Sequence, residues 1–292
     1  MNVTLEALNY IYGADTPFVR RALKDISLEI RQGEYVGLIG HTGSGKSTLI
    51  QHLNGLLRPT SGRVLIDGED IWKDAAFTCA VRFRVGLVFQ YPEYQLFEES
   101  VYKDIAFGPT NMGLSKGEVD ERVMSALEQV GLPAEIAVKS PFELSGGQKR
   151  RVAIAGVMAM QPEFLILDEP AAGLDPSGRR EIIEEISEYR KRHGATVLLV
   201  SHSMEDIAST VERILVMDDG AVIMDGDADS VFADARRLID IGLDVPQVTK
   251  VLISLKARGF DINDRLYTVE DAKGEIMRLY RALGGGSSCS RT

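Results

Sequence analysis

Cysteine is nearly absent: Cys79 and Cys289 are the only two in 292 residues. Two cysteines make neither a disulfide framework nor a four-cysteine zinc site. Long apolar runs are missing as well. The longest, such as Phe164-Leu165-Ile166-Leu167 and Val197-Leu198-Leu199-Val200, fall far short of the about 20 residues that span a bilayer. The N-terminus shows no secretory pattern, because Met1-Asn2-Val3-Thr4-Leu5-Glu6 enters a strand-like alternation at once. The expectation is a chain that stays in the cytosol. Positive charge is in deficit, with a net charge of −10. That argues against a broad nucleic-acid surface but leaves room for a local basic site or a basic protein partner. No internal repeat is visible, and the length allows one large domain or a domain with an appendix.

What is present is an alternation of short apolar runs with helix-like segments. Val36 to Ile39, Gly86 to Phe89, Phe164 to Leu167 and Val197 to Val200 read as buried parallel strands. Gly117 to Val130, Gly178 to Arg192 and Met204 to Thr210 read as amphipathic helices. The alternation predicts an α/β sheet. Val3 to Leu8 and Arg63 to Gly68 look like antiparallel strands, the second ending in a turn. Residues from about 91 to 160 are mostly helical between two sheet strands, which predicts a helical subdomain. After about Asp234 the character changes. Helix-like Val245 to Arg258 and Val269 to Leu283 follow, and the stretch 284–292 reads as a flexible Gly/Ser linker.

Gly40-His41-Thr42-Gly43-Ser44-Gly45-Lys46-Ser47-Thr48 fits G-x-x-x-x-G-K-[ST]. It follows an apolar strand and precedes the helix-like Leu49 to Leu53, the context a phosphate loop requires. Its glycines let backbone N–H groups turn toward phosphates without Cβ clashes, and the helix N-terminus adds partial positive charge. Lys46 is placed for the β- and γ-phosphates of ATP and Ser47 for Mg²⁺. The plain alternative is a structural glycine-rich turn. Far downstream, the strand Phe164 to Leu167 ends in Asp168-Glu169-Pro170. Carboxylates at the C-terminal ends of parallel strands sit where open α/β sheets bind ligands. Asp168 then suits Mg²⁺, and Glu169 suits a water that must lose a proton. Alone, an Asp-Glu pair is more often a solvated strand end.

Leu144-Ser145-Gly146-Gly147-Gln148 opens a helix-like run to Met160, with Ser145 as its N-cap. A helix N-terminus is an anion site, although Leu-Ser-Gly-Gly alone reads equally well as an ordinary loop. Together, Gly40 to Thr48, Gln90, Leu144 to Gln148, Leu167 to Pro170, Gly173-Leu174-Asp175 and His202 stand in the order of the ATP-binding cassette (ABC) ATPases. The resemblance covers about residues 3 to 233. It implies a P-loop NTPase domain with a helical signature subdomain, an N-terminal antiparallel β part and a short C-terminal helical extension. By the same resemblance Gln90 touches Mg²⁺ and senses a transmembrane partner, and His202 is a switch residue near the γ-phosphate. Asp175 lies in a segment that crosses to the other subunit. Tyr12 stands where the family stacks an aromatic on adenine, the alternative being a packed strand tyrosine. The segment Ser145, Gly146, Gly147 and Gln148 would contact ATP held by the opposite chain's Lys46 segment. Ala171 departs from the family, where a hydroxyl is common.

The run Gly86 to Val101, with Pro92-Glu93-Tyr94-Gln95-Leu96-Phe97-Glu98-Glu99, continues into Asp104 to Pro109. It resembles the A-prime ATPase of energy-coupling factor (ECF) transporters, which import vitamins or transition-metal ions. Gly242 to Pro246 fits the same group, whose C-terminal domain, here 235–283, helps hold two ATPases together. That resemblance implies a heterodimer with a second related ATPase, a transmembrane scaffold and a membrane substrate-binding subunit. It places the chain at the cytoplasmic face of the cell membrane and does not name the cargo. Glu93, Glu98, Glu99 and Asp104 gather after Gln90, and a basic coupling helix would pair with them. Cobalt or nickel importer ATPases, non-transport cassettes and a purely regulatory ATP-binding subunit remain the alternatives.

Overall fold

The computed structural model describes residues 1–14 and 16–283; the linker-like stretch 284–292 lies outside the described residues. In chain order the strands are β1 (Val3–Tyr12), β2 (Arg20–Ile30), β3 (Tyr35–Gly40), β4 (Ser61–Ile66), β5 (Glu69–Asp70), β6 (Val85–Val88), β7 (Phe164–Asp168), β8 (Thr196–Val200), β9 (Arg213–Asp218) and β10 (Ala221–Gly226). The helices are α1 (Lys46–Leu53), α2 (Ala75–Arg84), α3 (Val101–Asn111), α4 (Lys116–Gln129), α5 (Gly146–Met158), α6 (Pro176–His193), α7 (Met204–Thr210), α8 (Ala228–Ala233), α9 (Ala235–Asp240), α10 (Gln247–Ala257) and α11 (Val269–Ala282). The four expected parallel strands and the two expected antiparallel ones are all present, as are the expected helices, with ends shifted by a residue or two except that β1 runs four residues past Leu8 to Tyr12. The β9–β10 hairpin and the strand β2 are elements the sequence reading did not single out.

Six strands form the central sheet in the order β10-β9-β3-β8-β7-β6, and β2-β1-β4-β5 form a separate antiparallel sheet. Within the central sheet β6, β7, β8, β3 and β9 are parallel, and β10 closes the edge antiparallel to β9. Every residue of β3, β7 and β8 is buried, as expected of parallel strands covered on both faces. Side chains alternate between those faces. Val36, Leu38, Ile166, Leu198 and Val200 pack with Val3, Leu5, Leu8 and Ile26 of the antiparallel sheet. Tyr35, Ile39, Leu165, Leu167, Val197 and Leu199 join the core that includes Ile105, Val123, Ala155, Ile186 and Ile207 of the helices. Truncating one such residue, Leu198→Ala for instance, costs about 2–5 kcal/mol.

The chain between β6 and β7 carries α3, α4 and α5, which pack on one another. Ser115 and Ser145 start α4 and α5 through reciprocal capping boxes with Glu118 and Gln148. The C-terminal α10 and α11 share a small core of their own, Leu252, Ile262 and Ala272. That leaves Ile276, Met277, Tyr280 and Leu283 of the last helix and its end exposed. No helix among the described residues is long and apolar enough to cross a membrane.

Candidate functional site

The buried strand β3 delivers Gly40 to the end of the sheet, and the chain turns into α1 at Lys46. Gly45 holds φ at 107°, where a Cβ would lie 2.7 Å from the Ala22 carbonyl oxygen. A Cβ on Gly40 would come within 2.5 Å of the Met217 carbonyl oxygen. The loop is therefore pressed against β2 and β9, and only glycine fits at these two positions. Lys46 is almost buried. Its ammonium donates to the Gly40 carbonyl at 2.7 Å and the His41 carbonyl at 3.1 Å, lying across the loop it would share with phosphate. Burial pulls its pKa down, against the nearby Glu169 and Asp168 charges.

Asp168 and Glu169 leave the end of β7 at the same level. The Ser47 hydroxyl donates to Asp168 Oδ2 at 3.3 Å. Burial pushes the Asp168 carboxyl up, countered by the Ser47 hydrogen bond and Lys46. Glu169 stands in the left-handed region, φ 52°, and its N–H donates to the Val200 carbonyl at 3.0 Å. A strained non-glycine residue at this point is a feature of functional sites. Burial first, then the Asp168 charge, pushes the Glu169 carboxyl up to about 7. Its Oε1 is buried without a hydrogen-bond partner, and His202 Nε2 stands 3.7 Å away. Burial and the Lys46 charge hold the His202 imidazole below its ordinary pKa. A neutral imidazole thus faces a carboxyl poised near neutrality, a pair suited to handling one proton.

These groups open on one cleft of about 350 Å³, also lined by Tyr12, Thr42, Gly43, Thr48 and Gln90. The Tyr12 hydroxyl is 3.3 Å from Thr48 Oγ1, and its ring stands edge-on to Tyr10. The structure separates Gly40, His41 and Ser44 from that lining. His41 turns back, its Nε2 2.9 Å from Asp218 Oδ1 and its Nδ1 2.9 Å from the Thr42 carbonyl, while Ser44 is buried. These three can meet a ligand through backbone groups alone. Ser145, Gly146, Gly147, Gln148 and Asp175 are not in the cleft either. Ser145 and Gln148 cap α5 through hydrogen bonds of 3.3 and 3.1 Å, and the exposed Asp175 caps α6. Arg20, which lines the cleft and reaches the Gly43 carbonyl at 3.4 Å, was missed; an arginine in a strand far from the motif carries no signal of its own.

The acidic run after Gln90 needs correction. Glu93 is not free for a partner, because Arg150 takes its carboxylate at 2.8 and 3.1 Å. Glu99 pairs with Lys103 four residues on. Asp104 turns inward and accepts the N–H groups of Phe97 and Glu98 at 3.2 and 3.3 Å. Of the four acids, Glu98 alone has a carboxylate with no hydrogen-bond or ion-pair partner, backbone or side chain, among the described residues. Glu98 shares a surface cavity with Tyr102, Lys103 and Phe107, and Tyr94, Phe97 and Phe107 are exposed in the same stretch of chain.

A fold of this topology, with a lysine-bearing phosphate loop facing two strand-end carboxylates, is that of an ATP-hydrolysing cassette. A family model described as "ABC transporter" matches residues 23–172, and the chain belongs to that family. Within it, the chain is 55% identical to the energy-coupling factor transporter ATP-binding protein EcfA2 of Clostridium tetani, over 96% of this chain and 98% of that one. It is 52% identical to the protein of the same name from Clostridioides difficile, over 97% and 99%. Among solved structures it resembles cbiO1 from Clostridium perfringens, part of the ABC transporter complex cbiONQ. That match has 41% identity and a TM-score of 0.72 and covers 81% of this chain and 93% of that one. A dimeric bacterial ABC transporter cassette matches at 29% identity and TM-score 0.70, over 77% and 98%.

Proposed function

We propose that this chain is one of two ATPase subunits of an energy-coupling factor importer and drives uptake of a vitamin or similar micronutrient. The observation that carries the activity is the convergence of Lys46, Ser47, Asp168, Glu169 and His202 on one cleft. The near-full-length likeness to proteins named EcfA2 supports the importer class. ATP lies with its phosphates in the N–H groups of residues 41–48 and its adenine against Tyr12. Lys46 bears on the β- and γ-phosphates. Glu169 orients the attacking water and accepts its proton, and His202 steadies the γ-phosphate end. Positioning and charge neutralisation supply most of the rate.

The donor set fits Mg²⁺: the Ser47 hydroxyl, the Asp168 carboxylate and the Gln90 amide oxygen are hard ligands, and phosphate oxygens complete such a site. When bound, the ion supplies charge neutralisation at the phosphates. The exposed, capped start of α5 at Ser145 then meets ATP held by a related partner subunit. Residues 1–234 form the nucleotide-binding domain, and the helices within 235–283 help hold the dimer through the exposed face of α11. A transmembrane scaffold docks beside Gln90, on Glu98 and the aromatic groove around Phe97 and Phe107. A membrane subunit that selects the cargo completes the assembly.

The test is co-expression with a scaffold and a second ATPase, followed by ATP-driven uptake into vesicles. Uptake that depends on both ATPases is expected. Full turnover by ATP-induced dimers of this chain alone would overturn the heterodimer and favour a homodimeric importer. Glu98→Lys is expected to lower uptake while ATP binding persists; wild-type uptake would refute the docking site.

A further inference from the structure

One buried cation joins three segments that the cleft and its surroundings depend on. Arg150 lies in the second turn of α5 and is 4% exposed. Its Nε and Nη2 donate to the two carboxylate oxygens of Glu93 at 3.1 and 2.8 Å, a fork-to-fork pair. Its Nη1 donates to the Ala172 carbonyl. Tyr91, in the left-handed region at φ 55°, stands with its ring centre 5.9 Å from the guanidinium carbon. Tyr91 and Glu93 follow directly on Gln90, which lines the cleft. Ala172 follows Glu169, to whose carbonyl its own N–H donates at 3.1 Å. Burial pushes the Glu93 carboxyl up, but the Arg150 guanidinium and a backbone hydrogen bond together hold it below its ordinary value.

We propose that Arg150 is a positioning residue for ATP hydrolysis: its guanidinium fixes the segment behind Glu169 against the turn behind Gln90. All three nitrogens are used, and among the described residues no other side chain hydrogen-bonds to both Glu93 and Ala172. A lysine ammonium has neither the planar fork nor the reach to serve both partners at once. Because Arg150 sits on the helix that starts at Ser145, a shift of the Gln90 turn is passed to Glu169 and to α5 together. This inference rests on the reading of Glu169 as the group that handles the attacking water.

The test uses the full chain in its assembly, comparing Arg150→Lys, Glu93→Gln and the exchange Glu93→Arg with Arg150→Glu. Turnover, KM for ATP and Tm are measured for each, with Glu169→Gln as the control. Arg150→Lys is expected to leave KM within about twofold and to lower kcat on the order of tenfold or more, as a small misplacement of reacting groups does. Glu93→Gln, which keeps the Ala172 hydrogen bond, is expected to lower kcat less. The exchange is expected to recover Tm without recovering kcat, because the new side chain at position 150 has no donor for the Ala172 carbonyl. A wild-type kcat in Arg150→Lys, or an exchange that restores kcat with Tm, would overturn the proposal. Should Arg150→Lys not fold, Glu93→Gln decides alone: an unchanged kcat refutes the link. Turnover retained in Glu169→Gln would instead refute the Glu169 reading on which the inference rests.

Discussion

Two glycine pairs in this chain look alike on paper and differ in space. Gly40 and Gly45 are hemmed in by the molecule itself, with a Cβ at either placed 2.5–2.7 Å from a carbonyl oxygen. Gly146 and Gly147 are in open space: a Cβ there meets nothing within 4 Å, and neither needs a positive φ. The first pair is explained by this chain's own packing. The second is not; the proposed contact with a partner's nucleotide is what would require glycine there. A helix start with no side chains in the way has the chemistry of an anion site, which the proposed contact with a partner's nucleotide would use. The comparison separates a site that is built from one that is offered.

The sharpest way to test the built half is to remove its base. Glu169→Gln is expected to lower kcat by about 10²–10⁴-fold, the usual worth of a positioned proton acceptor, while ATP still binds. Gel filtration with ATP would then show a persistent closed dimer. Unchanged turnover would sink the role of Glu169.

The next pair of substitutions sets the two regions directly against each other. Gly45→Ala forces a side chain into the left-handed region and onto a carbonyl, at a cost of about 1–3 kcal/mol, and ATP binding should be lost with it. Gly147→Ala should leave Tm unchanged or slightly raised, because alanine is the better helix former by up to about 1 kcal/mol. Turnover of the assembled transporter should nonetheless fall, on the order of 10²-fold if the added methyl displaces the neighbouring nucleotide by about an ångström. Thermal melts and assembled-complex kinetics read the two outcomes separately. If Gly147→Ala is silent in both, the offered site is an ordinary helix cap. Tyr12→Ala belongs between these extremes. Loss of one aromatic stack, about 0.5–1.5 kcal/mol, should raise KM for ATP severalfold without changing kcat.

The same contrast accounts for what was legible in advance. The phosphate loop, the carboxylate pair and the strands carrying them follow from local pattern, because a buried parallel strand and a glycine turn each leave a signature within a few residues. Ser145 as the start of α5 was legible for the same reason, through its reciprocal partner Gln148. The acidic run was misread because charge pattern shows which side chains are ionised, not where their partners are. Glu93 finds Arg150 57 residues away, a contact no local window contains. Arg20 and Asp218 reach the loop across separations of 23 and 177 residues, also outside any local window. The hairpin β9–β10 escaped because Arg213 to Gly226 mixes buried and half-buried positions without a clean period of two.

The smallest effect concerns the protein without nucleotide or metal, and it distinguishes the two regions by charge. Glu169 has its pKa raised from 4.5 to about 7 in the fold, so the folded chain holds that proton more tightly than the unfolded one. Folding therefore takes up a proton between those two pH values. The stability this confers is fully present below about pH 4.5, declines as pH rises to about 7, and is absent above it. Glu169→Gln removes the slope. Because the carboxyl keeps some access to solvent, the full linkage value is discounted to about 1–2 kcal/mol. The variant should be more stable than the wild type by that amount at pH 8 and by only about a quarter of it near pH 5. Ser145→Ala, which removes no titrating group, should cost about 1 kcal/mol at both pH values. Melts of the three proteins at pH 5 and 8 make the comparison. Parallel curves for Glu169→Gln and wild type would mean that the carboxyl is not held by burial, and that the built site is as open to water as the offered one.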